Sequence, residues 1–434
     1  MTTAKPSCRA RVDAALTRIA DQNGEGARVF LRVHADGARA EADAADSRSR
    51  SGISLGPLDG TIVSVKDLFD VAGEVTTAGS RILADAAPAT ADAAAVRRLR
   101  QGGAVVIGRT NMTEFAFSGV GYNPHYGTPG NPHDRTRIPG GSSSGAAVSV
   151  ADGMAEIGLG SDTGGSLRIP AALCGLVGFK STIGRVPTAG AFPLSTTVDT
   201  VGTIGKTVAD CARAFAVLSG SDKVVDAPAK SLRLAIIRQG RLLADTESDV
   251  LAAVATAEDR LRRTAGDIAA FDMEDLLEDM AAMHALATFP AVEAAARLEE
   301  LMATRATGMD PLVRSRVERG LKIRAVDYAR IQARRLDLIA RMDARMADYD
   351  AVLLPTVPIK APTIADASQG ENFARINMLL LRNTMAANIF DLPAISLPLP
   401  VAGLPIGLML MGRRGQDERL LAVARAVEAL LAPA

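Results

Sequence analysis

The sequence has no tryptophan and few other aromatic residues, with 4 tyrosines and 11 phenylalanines among 434 residues. Proteins that bind single-stranded nucleic acid usually stack bases on aromatic side chains, so this composition disfavours that class. The chain also lacks an excess of charge, because 49 lysines and arginines balance 49 aspartates and glutamates. A basic surface that would attract nucleic acid or an anionic membrane is therefore not expected. We predict a protein with neither of these partners.

Cysteine is scarce as well, since Cys8, Cys174 and Cys211 are odd in number and far apart in sequence. This pattern predicts neither a disulfide framework nor a zinc site, and it is typical of thiols in a reducing compartment. Long apolar runs are also missing. The N-terminal segment lacks the apolar stretch of a signal peptide, and no later segment has 18 consecutive apolar residues. We therefore expect a soluble, cytoplasmic protein.

What the chain does contain is an alternation of short apolar segments with helical ones, which is typical of an α/β fold. GTIVSVKDLFD and AVVIGRTN indicate buried strands, and ADAAAVRRLRQGG between them indicates a helix that ends at glycine. Several helices are expected between residues 245 and 348, after which AVLLP, AISLPLP and IGLMLMG are strand-like again. We predict one discontinuous domain over residues 1–434, with N-terminal helices in 1–55, a core in 56–220, a helical insertion in 240–348 and a return to the sheet in 350–434.

The glycine-rich stretch GSDTGGSLRIP, residues 160–170, poses the main functional question, since such loops bind phosphate, form turns or present a nucleophile. The phosphate alternatives fail on spacing. A Walker loop ending in GKT at 205–207 needs a glycine where Thr200 stands. A dinucleotide fingerprint that starts at Gly158 needs its third glycine where Thr163 stands. Taken alone, TGGS is also compatible with an ordinary glycine turn.

A second serine motif, GSSSG at 141–145, matches the G-x-S-x-G nucleophile elbow of α/β-hydrolases. That elbow requires a buried strand before the serine, whereas the preceding HDRTRIPG is charged and interrupted by proline. It also requires a histidine base. None of the four histidines lies in a setting typical of a catalytic base or a metal ligand; they are His34, His125, His133 and His284. An activated serine in this chain is therefore expected to use another base.

Lys66 is the alternative base. It ends the apolar run TIVSVK and precedes Leu68 and Phe69, so burial is expected to lower its pKa from the ordinary value of about 10.4. A lysine must be neutral to accept a proton, and most other lysines and arginines of the chain lie in polar segments. For Lys66 in isolation, a solvent-facing lysine at the end of a strand is the simpler interpretation.

Three stretches together resemble the amidase signature family, whose members use a Ser-cisSer-Lys triad. They are SVKDLFDV around Lys66, PGGSSSGAAVSVADG from Pro139 and GLGSDTGGSLRIPAALCGLVGFKST from Gly158. The middle serine and the nucleophile of that family lie 24 positions apart, and Ser142 and Ser166 have this spacing. The resemblance covers most of residues 56–220 and 350–432, and it fades in the helical middle region.

The resemblance implies a fold and a division of roles. The fold is α/β, with a central mixed β-sheet sandwiched by helices and a helical insertion. Ser166 is the expected nucleophile, Ser142 the bridging serine that follows a cis peptide bond, and Lys66 the base. The N–H groups of the oxyanion hole are expected from the backbone of Thr163, Gly164, Gly165 and Ser166. Because all three triad residues are present, a non-catalytic binding protein on this fold is disfavoured.

The activity implied by the resemblance is hydrolysis of small linear amides, with water as the second reactant and with no cofactor or metal. Esterase and carbamate (urethane) hydrolase activities are further candidates, because the same attack cleaves those bonds. The alternative within the family is the amidase component of a glutamyl-tRNA(Gln) amidotransferase, which requires partner subunits. We expect a protein that acts alone, as a monomer or a homodimer.

The substrate pocket is the least defined part of the resemblance. The segment NMTEFAFSGVGYN is similar to the one that lines the acyl pocket in the family. Because apolar candidates outnumber charged ones, a neutral, partly hydrophobic amide is the expected substrate. Arg168 follows the nucleophile by two positions and is interpreted as structural, not as a carboxylate clamp. The candidate substrate-binding residues are Met112, Phe117, Ser118, Gly119, Tyr122, Phe192 and Leu379, with Leu194, Arg382 and Asn383 as weaker ones.

Overall fold

Eleven strands form one mixed β-sheet in the part of the chain that the structure describes. The computed structural model describes residues 6–221, 223–225 and 231–432. The composition of SGSDKVVDAPAK at 219–230 predicts a linker, and this segment lies partly outside the described residues. The strands are β1 (Phe30–Val33), β2 (Ile62–Lys66), β3 (Val105–Thr110), β4 (Ile157–Asp162), β5 (Val177–Lys180), β6 (Thr200–Gly205), β7 (Leu234–Ile236), β8 (Ala269–Ala270), β9 (Ala351–Pro355), β10 (Ala394–Pro398) and β11 (Gly407–Gly412).

Fifteen α-helices accompany the sheet within the same described ranges. None of these helices is long and apolar enough to cross a membrane. The helices are α1 (Cys8–Ala20), α2 (Gly26–Val29), α3 (Ala35–Arg50), α4 (Ala94–Gln101), α5 (Ser144–Ala151), α6 (Arg168–Cys174), α7 (Val208–Ser219), α8 (Ser248–Ala265), α9 (Glu274–Leu286), α10 (Phe289–Arg305), α11 (Pro311–Gly320), α12 (Ala325–Arg345), α13 (Ile364–Ala367), α14 (Gly370–Ile389) and α15 (Asp417–Leu431).

The strand order of the sheet is β1-β3-β2-β4-β6-β5-β10-β11-β9-β7-β8. β2 runs parallel to both β3 and β4, whereas β6, β5, β10 and β11 are joined by antiparallel pairing. Because β5 pairs with β10, the C-terminal strands extend the sheet that the N-terminal strands begin. This mixed sheet confirms the predicted fold class.

Helices cover both faces of the sheet, as the alternation of side chains along its strands requires. Leu353 of β9 and Leu410 of β11 pack on the face covered by α7, α8 and α15. Their neighbours Val352 and Met411 pack on the opposite face, against α9, α12 and α14. The strands between the two edges of the sheet are therefore buried between two layers of helices, which explains why they are rich in apolar residues, whereas β1 and β8 at the edges are partly exposed.

The helical insertion lies between β7 and β9 and contains α8 to α12. Two carboxylates tie it to the loops of the sheet. Glu293 on α10 accepts hydrogen bonds from Ser195 Oγ (2.9 Å) and the Thr197 N–H (3.0 Å). Glu114, a buried residue of the sheet region, accepts from the Asp310 N–H at 2.7 Å. These contacts hold the insertion against the loops that follow β3 and β5.

Candidate active site

Lys66 is the last residue of β2, and its side chain is held by two hydroxyl groups. β2 and β4 are parallel neighbours, so their carboxyl ends lie side by side in the sheet. Lys66 Nζ donates to Ser142 Oγ at 2.8 Å and to Ser161 Oγ, near the end of β4, at 2.9 Å. Lys66 is fully buried. The solvent-facing interpretation of this lysine is therefore wrong.

The protonation of Lys66 follows from this environment. Burial lowers its pKa from 10.5 to about 7, although the charges of Asp162 and Asp199 act in the opposite direction. Near neutral pH, a substantial fraction of this amine is therefore uncharged and able to accept a proton.

Ser142 lies just before α5, and the Gly141–Ser142 peptide bond is cis. The Ser142 carbonyl accepts a hydrogen bond from the Thr113 N–H (3.1 Å), and the next N–H, of Ser143, donates to the Ser166 carbonyl at 3.3 Å. These contacts place the two serine segments side by side. Lys66 and Ser142 are joined by a hydrogen bond. Ser166 Oγ has no hydrogen-bond partner in the described chain, so the hydrogen bond expected between Ser142 and Ser166 is not formed. Catalytic hydrogen bonds are often long before substrate binds.

The loop from Thr163 to Ser166 directly follows β4, and one of its peptide groups is fixed from both sides. The Gly165 N–H donates to Asp162 Oδ1 at 2.8 Å, and the Gly164 carbonyl of the same peptide accepts from Thr384 Oγ1 at 2.6 Å. The Gly165 amide is therefore committed to Asp162, which corrects its predicted place in the oxyanion hole. The neighbouring amides of Gly164 and Ser166 make no hydrogen bond within the described residues.

Asp162 itself belongs to a buried ion pair. Arg168 Nε and Nη2 donate to its two carboxylate oxygens at 3.0 and 2.9 Å, and Nη2 also donates to Asn388 Oδ1 at 2.7 Å. Burial alone raises the pKa of Asp162, but the charge and hydrogen bonds of Arg168 hold it at about 2. Arg168 thus orients the carboxylate that holds the Gly165 amide, which agrees with its interpretation as structural.

Asp199 holds the other end of the loop. Its carboxylate accepts from Thr163 Oγ1 at 2.6 Å and from the N–H groups of Leu194 and Ser195 at 2.9 Å each. Burial raises the pKa of Asp199 to about 6 despite these hydrogen bonds. The carboxylate is therefore mostly charged at neutral pH and holds the Thr163 side chain in place.

We expect Gly165→Ala to reduce kcat by roughly 10²-fold, the usual effect of a misplaced oxyanion donor. Gly165 has φ of 141°, which residues other than glycine rarely adopt, and an added Cβ would lie 2.2 Å from Thr384 Oγ1. The substitution must move the peptide that separates the Gly164 and Ser166 amides. Gly370→Ala is the matched control, because an added Cβ there meets no atom within 4 Å. Steady-state kinetics and thermal unfolding of both variants test this, and unchanged kcat in Gly165→Ala contradicts it.

A cavity of about 80 Å³ opens at Ser166. Of the predicted substrate-binding residues, Phe117, Ser118 and Leu194 line it, together with Thr163 and Gly164 of the loop. Leu194 and Thr163 also line a second cavity of about 270 Å³, which contains Ser161 and the predicted residue Phe192. The two cavities share Ala116, Thr163 and Leu194. Ser166 lines the smaller cavity, and Ser161, which accepts a hydrogen bond from Lys66, lines the larger one.

Four of the seven candidate substrate-binding residues line neither of these two cavities. Met112 is fully buried in the main core, and the Gly119 N–H donates to Asn377 Oδ1 at 2.8 Å. Tyr122 packs on a separate apolar cluster. Leu379 does not line the cavity, whereas Leu381 and Met385 of the same helix do. Leu379 and Leu381 are two positions apart, so their side chains point to nearly opposite sides of the helix. Of the weaker candidates, Arg382 donates to the Leu242 carbonyl (3.0 Å) and Asn383 to the Pro355 carbonyl (2.8 Å), so both are structural.

Several residues of the site were not predicted from the sequence, among them Ser161, His284 and Arg316. Ser161 holds Lys66, and the only sequence signal for it is its place near the end of a strand beside Lys66. His284 and Arg316 line the cavity at Ser166 and come from the helical insertion. Burial lowers the pKa of His284 to about 4, so its imidazole is neutral at neutral pH. No local pattern distinguishes Arg316 from the other arginines of its segment.

The fold and this constellation define a hydrolase that acts on carbon–nitrogen bonds. The model of the Amidase family matches residues 11–421, and the chain belongs to the amidase signature family. This membership confirms the resemblance seen in the sequence.

Individual relatives with different activities are similar over nearly the whole chain. The 2-amino-5-chloromuconic acid deaminase of Comamonas testosteroni is 39% identical over 415 residues, covering 91% of this chain and 87% of the relative. One subunit of the glutamyl-tRNA(Gln) amidotransferase of Roseiflexus castenholzii is 35% identical over 452 residues, covering 96% and 91%. A crystal structure of an amidase superimposes with a TM-score of 0.88 at 31% identity, covering 98% of this chain and 97% of the other.

Proposed function

We propose that this protein hydrolyses small linear amides through an acyl-enzyme on Ser166. The observation that carries the proposal is the fully buried Lys66, whose pKa is near neutrality and whose Nζ lies 2.8 Å from Ser142 Oγ, in the segment beside Ser166. A neutral amine that is hydrogen-bonded to one serine, with a second serine in the neighbouring segment, can remove a proton and so activate a serine as the nucleophile.

The proposed reaction moves one proton along this chain of groups. Lys66 Nζ accepts the proton of Ser142 while Ser142 Oγ accepts that of Ser166, and Ser166 Oγ attacks the amide carbonyl carbon. The N–H groups of Gly164 and Ser166 stabilise the negative oxygen that forms. The proton then returns through Ser142 to the nitrogen as the carbon–nitrogen bond breaks. Water, activated by the same groups, attacks the acyl ester and releases the acid.

A substrate panel tests the reaction class. The panel consists of the nitroanilide and the nitrophenyl ester of one small carboxylic acid, together with a carbamate of similar size. We expect the wild-type protein to cleave all three and Ser166→Ala to cleave none. The ester and the carbamate are included because Ser166 attacks the same type of carbon in all three. Failure on ester and carbamate would restrict the activity to amides. Failure on all three substrates would contradict the proposal.

Hydrolytic deamination of an acid is a second candidate, favoured by the 39% identity to 2-amino-5-chloromuconic acid deaminase. The same attack on a carbon that carries an amino or amide nitrogen releases ammonia in place of a larger amine. Coupled measurement of ammonia with unsaturated amino acids and with primary amides separates the two candidates, because a deaminase acts on the former.

Membership of an amidotransferase complex remains the alternative, with 35% identity to one of its components over 96% of the chain. We propose instead that the chain acts alone, as a cytoplasmic monomer or homodimer. The purified chain is then expected to cleave small amides without any partner. Strict dependence of its activity on added partner proteins would favour the amidotransferase alternative.

A further inference from the structure

The larger of the two cavities at the site, of about 270 Å³, has a single charged side chain in the part of its wall that the structure describes. This side chain is the carboxylate of Asp199, and the rest of the wall consists mainly of apolar residues such as Leu68 and Phe192 and of residues with hydroxyl groups. The exposed segment 188–190 also lines the cavity, so the cavity is open to solvent. Asp199 itself is only partly buried. A small molecule that enters this cavity therefore meets one negative charge.

The carboxylate of Asp199 lacks the cationic partner that the neighbouring carboxylate of Asp162 has. Asp162 pairs with Arg168 at 2.9 Å. Within the described residues, Asp199 forms no ion pair, and its hydrogen bonds come from Thr163 Oγ1 and from two backbone N–H groups. Both backbone N–H groups donate to Oδ2, and only Thr163 donates to Oδ1. Because a carboxylate oxygen has two lone pairs, Oδ1 keeps one acceptor position free for a further donor.

Lys66 compensates the charge of Asp199 only when the lysine is protonated. The two groups interact, since the charge of Asp199 raises the pKa of Lys66. The form of Lys66 that accepts a proton is neutral, and in that form it leaves the charge of Asp199 without a counter-charge. A partly enclosed charge of this kind attracts a cation. A cation bound in the cavity would also favour the neutral form of Lys66, because like charges disfavour each other.

The positions of the two cavities indicate which part of a substrate meets Asp199. In an acyl-enzyme the acyl part stays on Ser166, which lines the smaller cavity. The leaving amine lies on the other side of the carbonyl carbon, and the larger cavity adjoins the smaller one at Thr163 and contains Ser161, the hydrogen-bond partner of Lys66. The larger cavity is therefore the place for the leaving amine. Its volume of about 270 Å³ exceeds the need of ammonia, since a molecule of similar size, water, takes about 30 Å³ of liquid.

We propose that Asp199 binds a positive charge on the leaving amine, so that the preferred substrates are small amides of short diamines. This inference rests on the proposed acyl-enzyme at Ser166. An ammonium group donates to the free position of Asp199 Oδ1 in a charge-assisted hydrogen bond, which is stronger than one between neutral groups. In the reaction, the proton that returns through Ser142 goes to the nitrogen of the broken bond, and the distal ammonium keeps its own protons. Water supplies the oxygen of the acid, and the diamine leaves.

The test compares cationic amides with neutral amides of the same shape. The probes are the monoacetyl derivatives of 1,2-diaminoethane, 1,3-diaminopropane and 1,4-diaminobutane, each paired with the N-alkylacetamide in which a methyl group replaces the ammonium. Release of acetate is measured at pH 8, where Lys66 is mostly neutral and an alkylammonium with a pKa of about 10.4 is charged. We expect the wild-type protein to prefer the cationic member of at least one pair in kcat/KM.

Two variants assign this preference to Asp199. Asp199→Asn keeps the shape of the side chain and an oxygen that accepts from the backbone N–H groups, but removes the charge. The ratio of kcat/KM for the cationic and neutral members is expected to fall at least about tenfold, as when one partner of a charge pair is removed. Any change in the base affects both members and cancels in the ratio. Glu299→Gln removes the same charge from an exposed position of α10 and should keep the wild-type ratio.

A comparison within the wild-type protein serves where Asp199→Asn does not fold. An ammonium beside Asp199 opposes the protonation of Lys66, so the rise of kcat with pH should lie at lower pH for the cationic member of a pair than for the neutral one. A residue that only held the loop in place would not produce this difference. Rises that coincide for both members would contradict the pairing of the ammonium with Asp199.

A binding experiment separates this inference from the proposed reaction. Calorimetry with the Ser166→Ala protein measures affinity for the same probes without turnover, and the Ser166→Ala/Asp199→Asn protein should lose the preference for the cationic members. A protein that binds and cleaves both members equally, or an Asp199→Asn protein that keeps the preference in both measurements, would overturn the inference. If the preference in binding depends on Asp199 but no probe is cleaved, the inference stands and the proposed reaction fails.

Discussion

Replacing Ser166 with alanine is expected to reduce kcat by about 10³-fold or more, the loss typical of a removed nucleophile. The Oγ atom of Ser166 has no structural hydrogen bond within the described chain, so its removal should leave the fold intact. The residue is almost fully buried beside the cavity, and the amides of Gly164 and Ser166 make no hydrogen bond within the described residues. The expected result is therefore a folded protein that binds substrate and does not turn it over.

Two measurements check this expectation for Ser166. Stopped-flow kinetics with a nitrophenyl ester should show a burst of nitrophenol in the wild-type protein and none in Ser166→Ala. Mass spectrometry of the quenched wild-type reaction should place the acyl group on the peptide that contains Ser166. Ser144→Ala is the matched control, since Ser144 is also buried nearby and its Oγ has no hydrogen-bond partner among the described residues. Retained turnover in Ser166→Ala, or acylation elsewhere, would remove Ser166 from the mechanism.

The residues that the sequence predicted best are those fixed by local chain geometry. Lys66 ends an apolar strand, and Ser142 and Ser166 belong to short glycine-rich motifs with a defined separation. Motifs of this kind adopt one backbone conformation, so the sequence determines where their side chains lie. The mixed sheet was predictable for a similar reason, because its buried strands are short apolar runs between turn residues.

The residues that the sequence did not reveal depend on how distant segments pack. Leu379 and Leu381 are equally apolar, and only the rotation of α14 decides which of them meets the cavity. Arg316 lies 150 positions after Ser166 and reaches the site because Glu114 and Glu293 hold the insertion over the loops. Such long-range contacts leave no periodic signal in the sequence. The expectation of a neutral substrate was drawn from residues near the motifs and did not include Arg316, which the insertion brings to the cavity.

The pH dependence of the reaction follows from the environment of Lys66. Only the neutral amine accepts a proton, so activity should be lost as the pH falls through the pKa of this group, which burial lowers to about 7. We expect kcat/KM to rise about tenfold per pH unit up to pH 7 and to level off above pH 8. A lysine with its ordinary pKa of 10.5 would instead let kcat/KM keep rising up to pH 10 without levelling off. Measurement of kcat/KM from pH 5 to 10 with one uncharged substrate checks the position of the rise.

Substitution of Lys66 should remove this dependence together with most of the activity. Lys66→Met keeps the length of the side chain without a base, and we expect a loss of about 10³-fold or more at pH 7, with partial recovery at alkaline pH as hydroxide replaces the base. Asp199→Asn is a second test of Lys66 as the base. The negative charge of Asp199 raises the pKa of Lys66, so its removal should move the rise of kcat/KM to lower pH, whatever the effect on kcat. An unmoved rise in Asp199→Asn, or an unchanged profile in Lys66→Met, would show that another group is the base.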